Sequence, residues 1–143
     1  LTPENREKYK QLKIMDITQW LKEVVLPRIK VIRPKNRILL HPTCSCQIMG
    51  LTPVLLDIAR KCAREVILPD NWGCCGASGD RGFIFPELSD SATRDERDEI
   101  GHESFDGCYS LARTCEIAMQ DHIEQPYESI VYLVDETIQD QGT

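Results

Sequence analysis

Two adjacent cysteines between glycines, Gly73-Cys74-Cys75-Gly76, constrain this chain more than any other feature of its sequence. Neighbouring side chains point in different directions in regular structure, so the two thiols cannot easily enter one apolar core. Glycines on both sides allow turn conformations that other residues avoid, and they let the backbone approach a bulky group closely. The run therefore predicts a loop, and a loop of this kind needs further cysteines from elsewhere in the chain.

Length, composition and charge describe one globular domain and exclude several classes of partner. The 143 residues suffice for one core, and 41% hydrophobic with 28% charged residues is ordinary for such a domain. A net charge of −6 argues against nucleic acid or anionic lipid as the main partner. No apolar run approaches the roughly 20 residues that span a bilayer. The start, Leu1 to Arg6, does not resemble a signal peptide and lacks an initiator methionine, so we expect a piece of a longer chain.

Seven cysteines is a high number for this length, and it is odd. A secreted disulfide scaffold is usually smaller, has a poorer core and contains an even number of cysteines. Here long amphipathic segments supply a core without disulfides. We therefore expect reduced thiols, several of which bind metal.

Strands and helices alternate along the chain, which predicts an α/β fold. Residues 37–41 form an apolar strand that leads into Cys44, and residues 65–69 form a second strand that leads into the Cys74-Cys75 loop. A helix lies between them, with Thr52 as its N-cap. This order implies a parallel pair with a right-handed crossover. We predict a small Rossmann-like parallel sheet flanked by helices, with the cysteine loops at the C-terminal ends of the strands.

The other segments are assigned from their hydrophobic periodicity. Apolar residues from Ile17 to Val25 follow one helical stripe after the cap Asp16, and Trp20 is expected in the core. The charged stretch 89–100 is expected to be a helix with a solvated surface. The remaining expectations are a polar, frayed lead-in over residues 1–14, a turn-bounded apolar segment at 82–86, a third strand or extended segment at 105–110, a helix beginning near Cys115, a final helix from Pro126 to Ile138 and a disordered tail over 139–143.

Four cysteines are the candidate metal ligands: Cys44, Cys74, Cys75 and Cys115. They come from three widely separated segments, a pattern that suits a four-iron cluster, in which each iron takes one sulfur. Structural zinc usually takes its ligands as two close Cys-x-x-Cys pairs, and adjacent cysteines strain a tetrahedral site. We therefore favour an iron–sulfur cluster, and the alternative is a zinc-stabilised interaction module.

Further residues near these cysteines are also candidates. Cys46 and Cys108 could act as additional ligands, and His41 could be a ligand or a simple strand-end residue bonded to backbone. Cys62 lies on the apolar face of its helix and is expected to be a buried structural thiol. A nucleophilic Cys44 with His41 as its base is a further alternative. That alternative leaves the other candidate cysteines unexplained.

Three motifs resemble those of the cysteine-rich CCG domain. They are His41-Pro42-Thr43-Cys44, Gly73-Cys74-Cys75-Gly76-Ala77-Ser78-Gly79 and Ala112-Arg113-Thr114-Cys115-Glu116. That domain occurs in heterodisulfide reductase, in the iron–sulfur subunit of anaerobic glycerol-3-phosphate dehydrogenase and in lactate-oxidation iron–sulfur proteins. It also forms the C-terminal part of FAD-linked dehydrogenases of the D-lactate and D-2-hydroxyglutarate type, which the run from Ser110 to Met119 resembles most. The resemblance covers residues 15–138.

The resemblance implies an electron-transfer domain of a larger oxidoreductase, inactive as an isolated piece. The four candidate cysteines would hold a 4Fe-4S cluster, and an FAD domain elsewhere in the parent chain would oxidise a 2-hydroxy acid. Electrons would pass through the cluster to a quinone or a redox protein, in the cytoplasm or at the inner face of the membrane. Backbone N–H groups of Gly76, Ala77, Ser78 and Gly79 could donate hydrogen bonds to the sulfurs.

One position departs from the CCG pattern. The pattern ends in Cys-x-x-Cys, and Ala112 stands where its first cysteine would be. A site with five thiolates would need Cys108 or Cys46 as a substitute. A single cluster with four thiolates is the simpler expectation.

Overall fold

The computed structural model describes residues 2–139, with the side chain of Gln139 excepted. Its helices are α1 (Pro3–Lys10), α2 (Ile17–Trp20), α3 (Cys44–Ile48), α4 (Thr52–Cys62), α5 (Arg81–Ile84), α6 (Pro86–Ile100), α7 (Arg113–Ile123) and α8 (Ile130–Thr137). Its strands are β1 (Lys30–Val31), β2 (Lys35–Leu40), β3 (Ala63–Ile67), β4 (Gly107–Ser110), β5 (Tyr127–Ser129) and β6 (Ile138–Gln139).

Four strands form one parallel sheet in the order β3-β2-β4-β5. The chain moves from β2 to β3 on one side, and it then crosses to β4 and β5 on the other side. The predicted α/β fold, a small Rossmann-like parallel sheet flanked by helices, is confirmed. The change of direction makes the crevice between the ends of β2 and β4 the topological switch point, where ligands bind in sheets of this class. β1 and β6 form a separate antiparallel pair.

Each face of the sheet carries its own hydrophobic cluster, because side chains alternate along each strand. Ile38 and Leu40 of β2 pack in the first cluster with residues of α4 and α8. Leu39 packs in the second cluster with residues of α7 and with Ile100 of α6. All three β2 side chains are fully buried. The two clusters therefore support the sheet from both of its faces.

Several expectations about individual elements were wrong. The lead-in contains a helix that was not expected, α1, because Thr2 caps it, Pro3 opens it and Glu4 pairs with Lys8 at 2.9 Å. α1 nevertheless buries none of its residues. Trp20 was expected in the core, and its exposed fraction is 43%. The buried residues of this segment are instead Thr18 of α2 and Leu21, which opens the π-helical turn Leu21–Val25.

The last part of the chain also differs from the expectation. A strand, β5, lies where the final helix was expected to begin, and the helix starts only after Ser129, whose hydroxyl accepts a hydrogen bond from the Val131 N–H at 3.4 Å. The helix ends at Thr137, and the next two residues pair with β1. Residues 140–143 of the expected tail lie outside the described residues.

Smaller differences concern element boundaries. The N-cap of α4 is Leu51, one residue before the expected Thr52. The second strand begins at Ala63, earlier than expected, and the apolar segment at 82–86 contains the end of the short helix α5. The extended segment expected at 105–110 contains β4, and the helix expected near Cys115 is α7.

Candidate functional site

Three cysteine-bearing segments meet at the C-terminal edge of the sheet, as the strand order predicted. Cys44 opens α3, which follows β2, and Cys115 lies in the first turn of α7, which follows β4. The Cys74-Cys75 loop follows β3. β2 and β4 are held together beyond their ends, because the His41 N–H donates to the Tyr109 carbonyl at 2.9 Å and the Ser110 hydroxyl donates to the His41 carbonyl at 2.8 Å. These bonds fix the two loops that flank the switch point.

Two of the candidate sulfurs are in contact. The Sγ atoms of Cys75 and Cys115 are 3.0 Å apart, and both residues are free thiols. Their exposed fractions are 4% and 8%, so the pair is buried just below the surface. Cys44 and Cys74 are exposed. The site therefore has a buried pair of sulfurs and two further cysteines towards solvent.

The charges of the candidate cysteines act on one another. The pKa of Cys75 is lowered to about 6, mainly by the hydrogen bond from Cys115. Burial opposes this shift, whereas a hydrogen bond to the Ala77 backbone and the charge of His41 add to it. The pKa of Cys115 is raised well above its ordinary value, first by its bond to Cys75 and then by burial. Negative charge on Cys44 and Cys74 raises it further. The other three candidate cysteines thus lie within electrostatic reach of Cys115.

The loop that carries Cys74 and Cys75 has an unusual backbone. Gly76 and Gly79 have φ values of +72° and +77°, and Ser78 between them has φ +45°. The Gly76 N–H donates to the Cys74 Sγ at 3.4 Å, so the turn that follows the cysteines points a backbone donor at one of them. Glycine is needed at positive φ because a side chain is strained there. The expected backbone donors thus include Gly76, and the Ala77 backbone bonds to Cys75.

Gly76 also lies against α6. A Cβ at this position would be 2.6 Å from the Leu88 carbonyl oxygen and 2.7 Å from the Ser89 Cα. A Cβ at Gly79 would have no atom within 4 Å. The cysteine loop is therefore seated on α6 through Gly76 and leaves α6 at Gly79.

α6 supports the site at two further points. The carboxylate of Glu99 accepts hydrogen bonds from the backbone N–H groups of Asp70 and Asn71 at 2.7 and 2.9 Å, which holds the start of the cysteine loop. The carboxylate of Glu96 lies 3.0 Å from the Nδ1 atom of His41. Both His41 and Glu96 are buried, at 0% and 2% exposure. The expectation that this helix is merely a solvated surface was wrong, because its inner face braces two of the three cysteine segments.

The imidazole ring of His41 lies close to the candidate cysteines. Its charge contributes to the lowered pKa of Cys75. Its Nε2 atom is buried and has no hydrogen-bond partner among the residues that the structure describes. His41 was expected to be a metal ligand, a donor to the site or a strand-end residue bonded to backbone; its main chain bonds to Tyr109 and Ser110, and its ring bonds to Glu96.

Three cysteines lie away from the contact pair. Cys46 is 1% exposed and packs in the first hydrophobic cluster, and burial raises its pKa. Cys62 is fully buried at the end of α4, beside the start of β3 and so near the opposite edge of the sheet. Cys108 lies within β4, and burial raises its pKa to about 12. Among the described residues, no hydrogen bond joins Cys46 or Cys108 to another candidate ligand, although Cys108 lies in the same hydrophobic cluster as Cys75 and Cys115.

Glu96 and Glu99 were not identified as site residues from the sequence. A signal existed for Glu96, because the buried residues of α6 are Ser89, Thr93, Glu96 and Ile100, which share one face of the helix. Polar residues formed most of that face and masked the pattern. Glu99 had no comparable signal.

The donor set suits a group that binds thiolates, since cysteine sulfur is the preferred ligand of iron–sulfur clusters and a frequent ligand of zinc. Within residues 2–139, no three His, Cys, Asp or Glu side chains form a preformed site for a single metal ion. A group bound between Cys75 and Cys115 would require their sulfurs, 3.0 Å apart, to separate. No helix in this part of the chain is long and apolar enough to cross a bilayer.

In the comparisons with known proteins, no protein-family model matches the chain and no curated protein matches it. The resemblance to the CCG domain therefore stays a prediction from the three motifs.

Proposed function

We propose that this chain is an iron–sulfur electron-transfer domain, with Cys44, Cys74, Cys75 and Cys115 as the ligands of one 4Fe-4S cluster. The observation that carries the proposal is the contact of Cys75 and Cys115 at the switch point, 3.0 Å apart, although they are remote in sequence. Cysteines of three segments meet at this one edge, and Cys44 and Cys74 are close enough to act on Cys115 electrostatically. A cluster supplies one-electron transfer when it is bound.

The chain's own residues would prepare the ligands. The lowered pKa of Cys75 keeps its sulfur in the thiolate form that binds metal. The N–H of Gly76 donates to the Cys74 sulfur, and hydrogen bonds to ligand sulfurs tune a centre's potential. His41, held by Glu96, adds a nearby imidazole. Burial of Cys75 and Cys115 excludes water from the inner side of the site.

The proposed parent protein rests on the resemblance of the three motifs alone. On that basis the chain is a domain of an FAD-linked dehydrogenase for D-lactate or a similar 2-hydroxy acid. It would receive electrons from an FAD domain and pass them to a quinone or a redox protein, in the cytoplasm or at the inner face of the membrane. The acidic net charge of −6 accords with a protein partner rather than nucleic acid.

Anaerobic reconstitution with iron and sulfide tests the proposal. We expect bound iron with acid-labile sulfide, visible absorbance and an electron paramagnetic resonance signal after reduction. Single substitutions to serine at the four ligands should each lower the iron content. Cys62→Ala is the matched control, because Cys62 lies near the other edge of the sheet and should leave iron binding unchanged. Zinc uptake with no sulfide and no colour would replace the proposal with the zinc-stabilised module.

A further inference from the structure

We propose that Cys75 and Cys115 form a reversible disulfide, so that the metal-free site exchanges two electrons with small disulfides. This inference goes beyond the proposed electron relay and needs no metal. Their Sγ atoms are already 3.0 Å apart, and a disulfide bond of about 2.05 Å requires them to approach by only about 1 Å.

The surroundings of Cys75 and Cys115 favour a disulfide between these two residues over one with another cysteine. Cys75, Cys108 and Cys115 belong to the same hydrophobic cluster, and of these three the sulfurs of Cys75 and Cys115 are in contact at 3.0 Å. Cys74 is the chain neighbour of Cys75 and is exposed, and its sulfur instead accepts the Gly76 N–H. Cys46 packs in the cluster on the opposite face of the sheet. Among the described cysteines, the Cys75 and Cys115 sulfurs are the two brought to hydrogen-bonding distance.

The exchange balances with a low-molecular-weight disulfide, RSSR, as the oxidant. The Cys75 thiolate attacks one sulfur of RSSR, which forms a mixed disulfide and releases RS⁻. The Cys115 sulfur then attacks the Cys75 sulfur of that mixed disulfide. The Cys75–Cys115 bond forms, and the second R group leaves as RSH with the proton of Cys115. The protein loses two electrons, and the small disulfide is reduced to two thiols.

Both cysteines are nearly buried, yet the exchange has a short route from solvent. Exposed fractions of 4% and 8% mean that each residue touches the surface, and the adjacent Cys74 is exposed. The residues that follow Cys75 include Gly76 and Gly79 at positive φ, and they contribute only Ala77 to the core cluster. In the proposed exchange, a small disulfide reaches Cys75 when this part of the loop moves aside.

Peptide mapping of the metal-free chain tests the inference. The reduced protein is equilibrated with mixtures of reduced and oxidised glutathione, alkylated and digested with trypsin. Cleavage after Arg64, Arg81 and Arg113 places the Cys74-Cys75 pair in peptide 65–81 and Cys115 alone in peptide 114–143. We expect these two peptides to be linked, with the loss of two hydrogen atoms, and the link to vanish when dithiothreitol is added.

Two variants identify the sulfur in peptide 65–81. Cys74→Ser should retain the link, whereas Cys75→Ser should lose it, and circular dichroism of each variant checks that the chain is folded. A bond within peptide 65–81, a link from it to peptide 38–60, which carries Cys44 and Cys46, or fully reduced cysteines in oxidised glutathione would each overturn the inference. Because no metal is present, this result is separate from that of the iron reconstitution.

Discussion

Replacing Gly76 by alanine should destabilise the chain and displace the cysteine loop, and Gly79→Ala provides the matched control. Both glycines have φ above +70°, so alanine at either position carries a strain of about 1–2 kcal/mol. At Gly76 the new Cβ would also meet backbone atoms of α6 at 2.6 and 2.7 Å, and at Gly79 it would meet nothing within 4 Å. Backbone contacts cannot yield by a rotamer change, so overpacking adds about 1–3 kcal/mol at Gly76 only.

The expected free energies of unfolding therefore fall by about 2–5 kcal/mol for Gly76→Ala and by about 1–2 kcal/mol for Gly79→Ala. Urea denaturation of the reduced, metal-free protein measures both. With a slope of about 2 kcal/mol/M, a difference of about 2 kcal/mol separates the two midpoints by about 1 M. The Gly76→Ala variant should also form the Cys75–Cys115 disulfide less completely, since its loop no longer fits against α6. Equal midpoints for the two variants would refute the reasoning, because the strain they share would then account for everything.

Two further predictions concern protons and hydrogen bonds at the site. The folded-state pKa of Cys75, about 6, lies below the ordinary 9.0 of a thiol, so the unfolded chain binds more protons between these values and stability should rise from pH 6 to pH 9. Above pH 9 the trend reverses, because the pKa values of Cys115 and of the buried Cys46, Cys62 and Cys108 are raised. In Cys115→Ala the urea midpoints should lose their rise between pH 6 and pH 9, because this variant removes the hydrogen bond that lowers the pKa of Cys75. Glu96→Ala should lower the free energy of unfolding by about 1–3 kcal/mol, because buried His41 loses its partner, and Glu96→Gln should lower it less. Asp98→Ala on the exposed side of the same helix should change it by less than about 0.5 kcal/mol, and an equal loss there would contradict this account of Glu96.

The placement of the cysteine segments was predictable because it depends on element order. A strand, a crossover helix and a parallel strand put both following loops at one edge of the sheet. Spacing along the chain could not tell how deep each sulfur lies, so it did not distinguish buried Cys75 and Cys115 from exposed Cys44 and Cys74. Depth is set by how α6 and α7 pack on the sheet, which is a tertiary property.

The failures have equally specific causes. Glu96 was counted with its charged neighbours, and only its hydrogen bond to the His41 ring, just after β2, reveals that it faces inward. Trp20 matched a regular α-helical stripe that began at Ile17, whereas the residues buried in this segment are Thr18 and Leu21. Both errors arose because local periodicity assumes a regular helix with one solvated face.

The seating of the cysteine loop on α6 means that the loop can open without loss of the rest of the fold. Its attachments include the contact at Gly76, three hydrogen bonds to Glu99 and the side chains of Cys75 and Ala77. The sheet is held by clusters on both faces, and the loop contributes only Cys75 and Ala77 to one of them. Amide hydrogens of the loop should therefore exchange with solvent deuterium long before those of β2, as in a region of low local stability. A bond between Cys75 and Cys115, through sulfur or through metal, would close that opening and slow the exchange.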